Sequence, residues 1–425
     1  MLRLAITFLA SAVLAAPVVA RQASEPGAEL TVYLATIHPG DAVWEKFGHN
    51  AIWIRDRTTG TTIAYDYGRF EFSEGFWPRF LRGHMEYSMG VDDADLMLSW
   101  YAQNNRTVSV QLLNLTPAQR HSLREFLEWN WLPQNRLYRY DYFRDNCSTR
   151  VRDALDLALG GRLRAALVGK PTGTTFRSHS LRLTAAFPAV FTGLIIGLGM
   201  PTDVPIDAWE ETFIPMELER HLRSVDVIGE DGAAVPLVAE ETVAFQANRA
   251  PPPDSAPDRF LIYLVAGLGV AGLLIVLAWR ARSRRLARHG LGLAIFFWAF
   301  ATGFFGLILT LLWLLTDHTA AYPNQNVLQT NPLGLLLAVA APLALGARRS
   351  GLARLARPLA VTILALSLIG VILHAVPSLY QMNGPLIALV LPVHAAVVLA
   401  LYQVGGRGTS PAEDAVSRTA APAVA

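Results

Sequence analysis

The spacing of apolar residues changes near residue 250. From about Glu25 to Ala250, short alternating runs are separated by turn signals; from Phe260 onward the apolar residues join into long stretches. Period-two alternation predicts strands in "LTVYLATIHPG", which ends in a turn, in "HNAIWIRD" and in "TTIAYDYGRF". The last two pair as a hairpin across Arg57 to Gly60. "RTVSVQLLNL" predicts another strand, leading into the helix "TPAQRHSLREFLEWNWL". There Thr116 is the N-cap, Pro117 a first-turn residue and Gln119 the third position of a capping box. Leu137 to Phe143 again alternates in β-formers. Asp145 or Asn146 then caps a helix from Cys147 to Leu159, which Gly160 and Gly161 stop. Cys147, Val151, Ala154, Leu155 and Ala158 share one face of it at spacings of three and four, so Cys147 lies in the first turn at the edge of the inward face.

Beyond a stiff linker at residues 251–259 ("PPPDSAPDR"), five apolar segments follow: about Phe260 to Trp279, Leu291 to Leu315, Pro332 to Gly346, Pro358 to Val376 and Pro385 to Tyr402. Four can cross a hydrocarbon core of roughly 30 Å, and the third is short for it. "RARSRRLARHG" after the first segment and "RRSGLARLARP" after the third are rich in arginine, whereas "DHTAAYPNQNVLQTN" and "PSLYQMNG" carry neither Lys nor Arg. Basic residues stay on the cytoplasmic side, so residues 25–250 lie outside the cytoplasm and the polar tail, 404–425, inside. The start of the chain, "MLRLAITFLASAVLAAPVVARQA", agrees independently: a basic residue, a short apolar run and small residues near Ala20 read as a signal peptide over residues 1–20. The expectation is a multi-pass protein of the bacterial inner membrane. It has an α+β catalytic domain over residues 25–250 in the periplasm and an α-helical bundle of about five spans over residues 260–403.

The formal net charge is +2, and the densest arginine clusters sit between apolar spans. Basic residues there do not form a nucleic-acid footprint, so no nucleic-acid partner is expected. No His, Cys, Asp and Glu cluster has metal-ligand spacing and no Gly-rich phosphate loop follows a strand, so neither metal nor cofactor is expected. The oligomeric state is not legible.

The single cysteine of the chain, Cys147, stands out against this background. A helix N-terminus favours negative charge through its unpaired N–H groups and dipole, and the thiolate is the nucleophilic form. The same N–H groups can hold an oxyanion. The plain alternative is a small buried hydrophobe, but an unpaired thiol in an oxidising compartment is a liability, which argues for use. Arg150 and Arg152 add positive charge, or form helix-surface pairs with Asp153 and Asp156. Among the histidines, His121 and His221 read as solvated. His49, directly after Gly48 and at the start of a strand, is the best general base. Asp66 on the neighbouring strand is the choice to orient its imidazole; Tyr65 and Tyr67 read equally well as packing residues, and Asn50 or Asn146 can also serve.

"TVYLATIHPGDAVWEKFGHNAIWI", "YDYGRFEF", "RYDYFRDNCSTRVRD", "TFRSH", "GLGMPTDVPIDAWEETFIPMEL" and "DHTAAYPNQNVLQTNPL" resemble, in order, the proteins named after the Lnb N-terminal periplasmic domain. Lnb is a lipoprotein intramolecular transacylase, which moves an acyl chain from the lipid of a lipoprotein's N-terminal cysteine to its α-amine. The His-before-Cys order is similar to that of circularly permuted papain-like enzymes. The resemblance implies a base at His49 and a nucleophile at Cys147; this chain has Asp66 where the family commonly has Asn. What it implies is a membrane-bound cysteine acyltransferase acting on lipid acyl esters or a lipoprotein. Asn146, Arg150, Arg177, His318 and Asn326 are the candidates for holding that substrate, while Arg177 fits a brace of the fold equally well. The alternatives are a cysteine amidase or peptidase of the envelope, and a non-catalytic membrane-tethered scaffold.

Overall fold

The structure is a computed structural model, which describes residues 25–72, 74–346 and 351–405. The predicted signal peptide, nearly all of the predicted tail and part of the second arginine-rich loop lie outside the described residues. The amino-terminal region begins with β1 (Leu30–Ile37), β2 (His49–Asp56), β3 (Thr62–Arg69), α1 (Phe76–Leu81), β4 (Glu86–Asp93), α2 (Ala94–Gln103), β5 (Val108–Leu113), α3 (Pro117–Trp131), β6 (Leu137–Arg139) and α4 (Cys147–Ala158). It continues through α5 (Arg162–Leu167), β7 (Pro171–Thr175), α6 (Phe176–Leu183), α7 (Pro188–Gly197), β8 (Pro205–Asp207), α8 (Ala208–Glu211) and α9 (Pro215–Leu222), and closes with β9 (Asp226–Ile228), β10 (Ala234–Pro236) and β11 (Val238–Phe245).

The main sheet is seven-stranded and antiparallel, in the order β11-β5-β1-β2-β3-β4-β6. Alternation along the strands builds two cores. Leu34, Ile52, Ile54, Tyr65 and Tyr67 pack against α3 and α4 on one face, and Ala35, Ala51, Trp53 and Ala64 pack against α2 on the other. The predicted hairpin, the Thr116–Gln119 capping box and the helix at Cys147 are all present. Of the run Leu137 to Phe143 only Leu137–Arg139 is a strand. β11, whose exposed residues carry little apolar signal, adds at the sheet edge.

Among the described residues, five apolar helices long enough to cross a membrane follow: α10 (Phe260–Ala281), α11 (Arg285–Leu315), α12 (Asn326–Gln329) running on into α13 (Leu333–Leu345), α15 (Ala356–Leu373) and α16 (Gly384–Gly405), with the short α14 (Gly351–Arg354) before α15. The third segment is completed by α12, so it is not short. Small residues bring these helices together. A Cβ added to Gly303 would lie 2.4 Å from the Leu335 backbone, and one on Gly334 would lie 2.6 Å from the Ala299 carbonyl.

The soluble region is not merely tethered by its linker. Phe191 and Ile195 of α7 share a core with Leu309 of α11 and with Leu386 and Val390 of α16. The last turn of α7 is capped from the bundle: Asn326 donates to the Ile195 and Ile196 carbonyls at 2.7 and 2.9 Å, and Asn324 donates to those of Ile196 and Gly197.

Candidate active site

Cys147 is the first residue of α4, and Asn146 is its N-cap. Asn146 Oδ1 accepts from the backbone N–H groups of Ser148 and Thr149 at 2.9 and 3.0 Å, while its Nδ2 donates to the Tyr142 and Phe213 carbonyls. The cap therefore consumes two of the orphan donors of the helix. The end of α8 and the residue after it hold the start of α4 as well. Ser148 Oγ donates to the Thr212 carbonyl at 2.6 Å, and Arg152 Nη1 donates to the Trp209 carbonyl at 3.0 Å.

His49 opens β2, where Gly48, at φ +82°, admits a turn that a side chain would strain. Its Nε2 lies 2.9 Å from Asp66 Oδ2, and the Cys147 side chain is near enough to act on the imidazole electrostatically. Asp66 faces its neighbour across the β2–β3 pair, and its Oδ1 accepts from Arg69 Nε at 2.8 Å. Strand parity thus selects Asp66: Tyr65 and Tyr67 point into the opposite core, and Asn50 donates to Thr36. Because Nε2 is engaged by the carboxylate, Nδ1 is the unprotonated ring nitrogen of the neutral imidazole. Burial alone would lower the pKa of the imidazole. The Tyr101 phenol, the Cys147 thiol and the Asp66 carboxylate outweigh it and hold His49 well above the usual histidine range. Burial would likewise raise Asp66, yet the imidazole and Arg69 hold it below its ordinary value.

Two residues that sequence reasoning passed over complete the site. Gly68, at φ +91° in the irregular end of β3, lets the strand close on α4: a Cβ there would lie 3.3 Å from Cys147 Cβ. That same point is 3.9 Å from the backbone N of Cys147 and 3.9 Å from the Tyr138 hydroxyl, so two donors flank one small space beside the Cys147 Cβ. The Tyr138 hydroxyl is buried and has no hydrogen-bond partner among the described residues. Burial, and then the nearby thiol, raise its pKa far above that of a free phenol, so it stays protonated as a donor. The glycine in "YDYGRF" was a legible signal for a close approach; Tyr138 was one β-former in an alternating run.

The expected substrate-holding residues are placed differently. Asn146 is consumed by capping. Arg150 pairs with Asp145 through two bonds of 2.6 and 2.8 Å, rather than with Asp153, and covers the Tyr138 ring at 3.9 Å. Arg152 pairs with Asp153 rather than Asp156 and stacks on Trp209. Arg177 is fully buried, bound to Asp203 and to the Ile195, Leu198 and Gly199 carbonyls, so the bracing alternative is the one it fits. Asn326 is buried as the cap of α7. His318 sits at the domain junction, where its Nε2 donates to the Phe80 carbonyl at 2.9 Å and its ring stacks on Tyr142. His221, expected on the surface, is buried and bonded to Glu211. Among the described residues no His, Cys, Asp and Glu group is arranged to hold a metal ion.

Two family models match the chain: the Lnb N-terminal periplasmic domain over residues 20–180, and the Lnb transmembrane domain over residues 261–404. No curated protein and no solved structure matches it.

Proposed function

The chain belongs to the Lnb family, as a multi-pass membrane protein with a periplasmic domain, and on that premise we propose that it is a cysteine acyltransferase working on lipid acyl esters of the periplasmic leaflet, with lipoprotein N-terminal transacylation as the reaction it fits best. The observation that carries the reading is the 2.9 Å pairing of His49 with Asp66 in the electrostatic neighbourhood of Cys147, the first residue of α4.

Each group has a role in this scheme. His49 takes the thiol proton, and the sulfur attacks the ester carbonyl carbon. The oxyanion that forms is met by the Cys147 backbone N–H and the Tyr138 hydroxyl. As the C–O bond breaks, the leaving alkoxide takes the proton from His49, which leaves a thioester on Cys147. An acceptor amine then attacks, gives its proton to His49 and expels the thiolate, so the enzyme is regenerated with no redox change. Asp66 holds the imidazole in the tautomer and orientation that both steps need.

The test is to incubate the purified full-length protein with envelope lipids and to search by mass spectrometry for a thioester-linked acyl group on the peptide bearing Cys147. The expected result is an adduct that hydroxylamine removes and that Cys147→Ala and His49→Ala lack. No adduct under conditions that trap thioesters, together with retained function in both variants, overturns the proposal.

A further inference from the structure

The periplasmic domain exposes an aromatic surface beside its junction with the membrane bundle. On α1, Trp77 and Leu81 are 60% and 64% exposed, and Phe72 just before the helix is 62% exposed. Their rings interlock: Phe72 stacks on Trp77, and Phe76 stacks on Phe80. A folded domain in water rarely leaves so much contiguous apolar surface uncovered.

The depth of this surface is fixed by α11. That helix ends at Leu315, where Leu314 and Leu315 are 71% and 68% exposed, as lipid-facing residues of a span are. Two residues on, the Asp317 N–H donates to the Arg82 carbonyl at 2.9 Å, and its carboxylate binds His84 and Arg139. Gly83 is packed so closely that a Cβ would lie 2.8 Å from the Asp317 backbone, and His318 reaches the Phe80 carbonyl. The exposed face of α1 thus continues from the outer end of a membrane span, at the level where Trp residues concentrate in membrane proteins. Inward from this surface lies a run of stacked aromatic rings. Phe70 stacks on Tyr87 at 5.0 Å between centroids, Tyr87 stacks on Tyr140 at 4.3 Å, and Phe70, Tyr140 and Cys147 pack against one core.

We propose that α1 with Phe72 rests among the acyl chains of the periplasmic leaflet and guides a lipid chain from the bilayer to Cys147. The lipid contact stands on this surface alone; the guiding role rests on the acyltransferase reading. In full-length protein carrying Cys147→Ser, single substitutions Trp77→Cys, Leu81→Cys and, as a water reference at the β2–β3 turn, Thr59→Cys are labelled with a nitroxide and placed in phosphatidylethanolamine–phosphatidylglycerol nanodiscs. The ratio of collision with oxygen to collision with a water-soluble nickel chelate is expected to be several-fold higher at 77 and 81 than at 59; equal ratios overturn the proposal. With Cys147 intact, the double change Trp77→Ser and Leu81→Ser is expected to slow acylation of Cys147 from bilayer lipid about tenfold, while alkylation by iodoacetamide is unchanged. Unchanged acylation overturns the guiding role. If the probes are immersed but wild-type protein never forms a thioester, the acyltransferase reading fails and the lipid contact stands.

Discussion

At the residue scale, the interaction of Asp66 with His49 makes the sharpest prediction, because orientation and charge can be separated. Asp66→Asn keeps an oxygen for His49 Nε2 but removes the negative charge that helps hold the imidazolium. With less negative charge nearby, His49 loses its proton at lower pH. The alkaline limb of the pH profile for Cys147 acylation should therefore move to lower pH, with modest loss of rate. Asp66→Ala removes orientation too and should cost about 10²-fold or more. Equal losses in both variants, with no shift of the limb, would contradict the assignment. Tyr138 gives a second separation. Its buried hydroxyl has no partner to lose among the described residues, so Tyr138→Phe should leave the thermal midpoint unchanged or slightly higher. The same change should slow acylation by about 10²-fold, as loss of one oxyanion donor does. Cys147 and His49 could be placed from a helix cap and a strand start, whereas Asp66 was one choice among several until the β2–β3 register fixed the parity. Tyr138 was not legible, since its meaning lies in an unsatisfied hydroxyl near a helix start that no spacing announces.

At the element scale, the start of α4 depends on the segment Trp209–Phe213, and that segment hangs on Glu211. Its carboxylate meets His179 and His221 at 2.8 Å each, Thr174 at 2.7 Å and Arg220 at 2.6 Å. Burial would raise this carboxyl; the bonds from His179, His221 and Thr174 overcome it and hold it well below the usual carboxylate range. A depressed carboxylate contributes stability above its unfolded value near 4.5, and that contribution is lost as pH falls toward the folded value. Wild-type protein in detergent should lose unfolding temperature below about pH 4.5. Glu211→Gln should already be destabilised at neutral pH, on the order of 3–5 kcal/mol, with a flatter acid limb. An unchanged acid limb would remove Glu211 from this role. The sequence pointed the wrong way here. His221 beside Glu219 looks like surface, and only the tertiary return of α9 onto α8 makes it a buried partner of Glu211.

At the scale of the whole molecule, hydropathy and arginine placement made the two-part architecture readable, since bilayer thickness and charge sidedness act on long stretches rather than on single contacts. Docking between the parts was not readable. Pro188–Gly197 looks in sequence like any apolar helix of a soluble core, and the asparagines of "YPNQN" look like an uncharged loop. In the folded chain they are one device: α7 presents Phe191 and Ile195 to the bundle, and Asn324 and Asn326 rise from the bundle to satisfy the carbonyls at its end. The periplasmic region therefore depends on the membrane helices for part of its core and for one helix cap. Residues 25–250 expressed alone should bind detergent or self-associate through α7, by size-exclusion with light scattering, and should show fast amide exchange over Pro188–Gly197. In full-length protein, Asn326→Ala should raise exchange over that same helix while leaving α4 protected. A monodisperse, detergent-free fragment with α7 as protected as in the whole chain would mean that the domains are only tethered, and the fixed depth of α1 in the leaflet would lose its support.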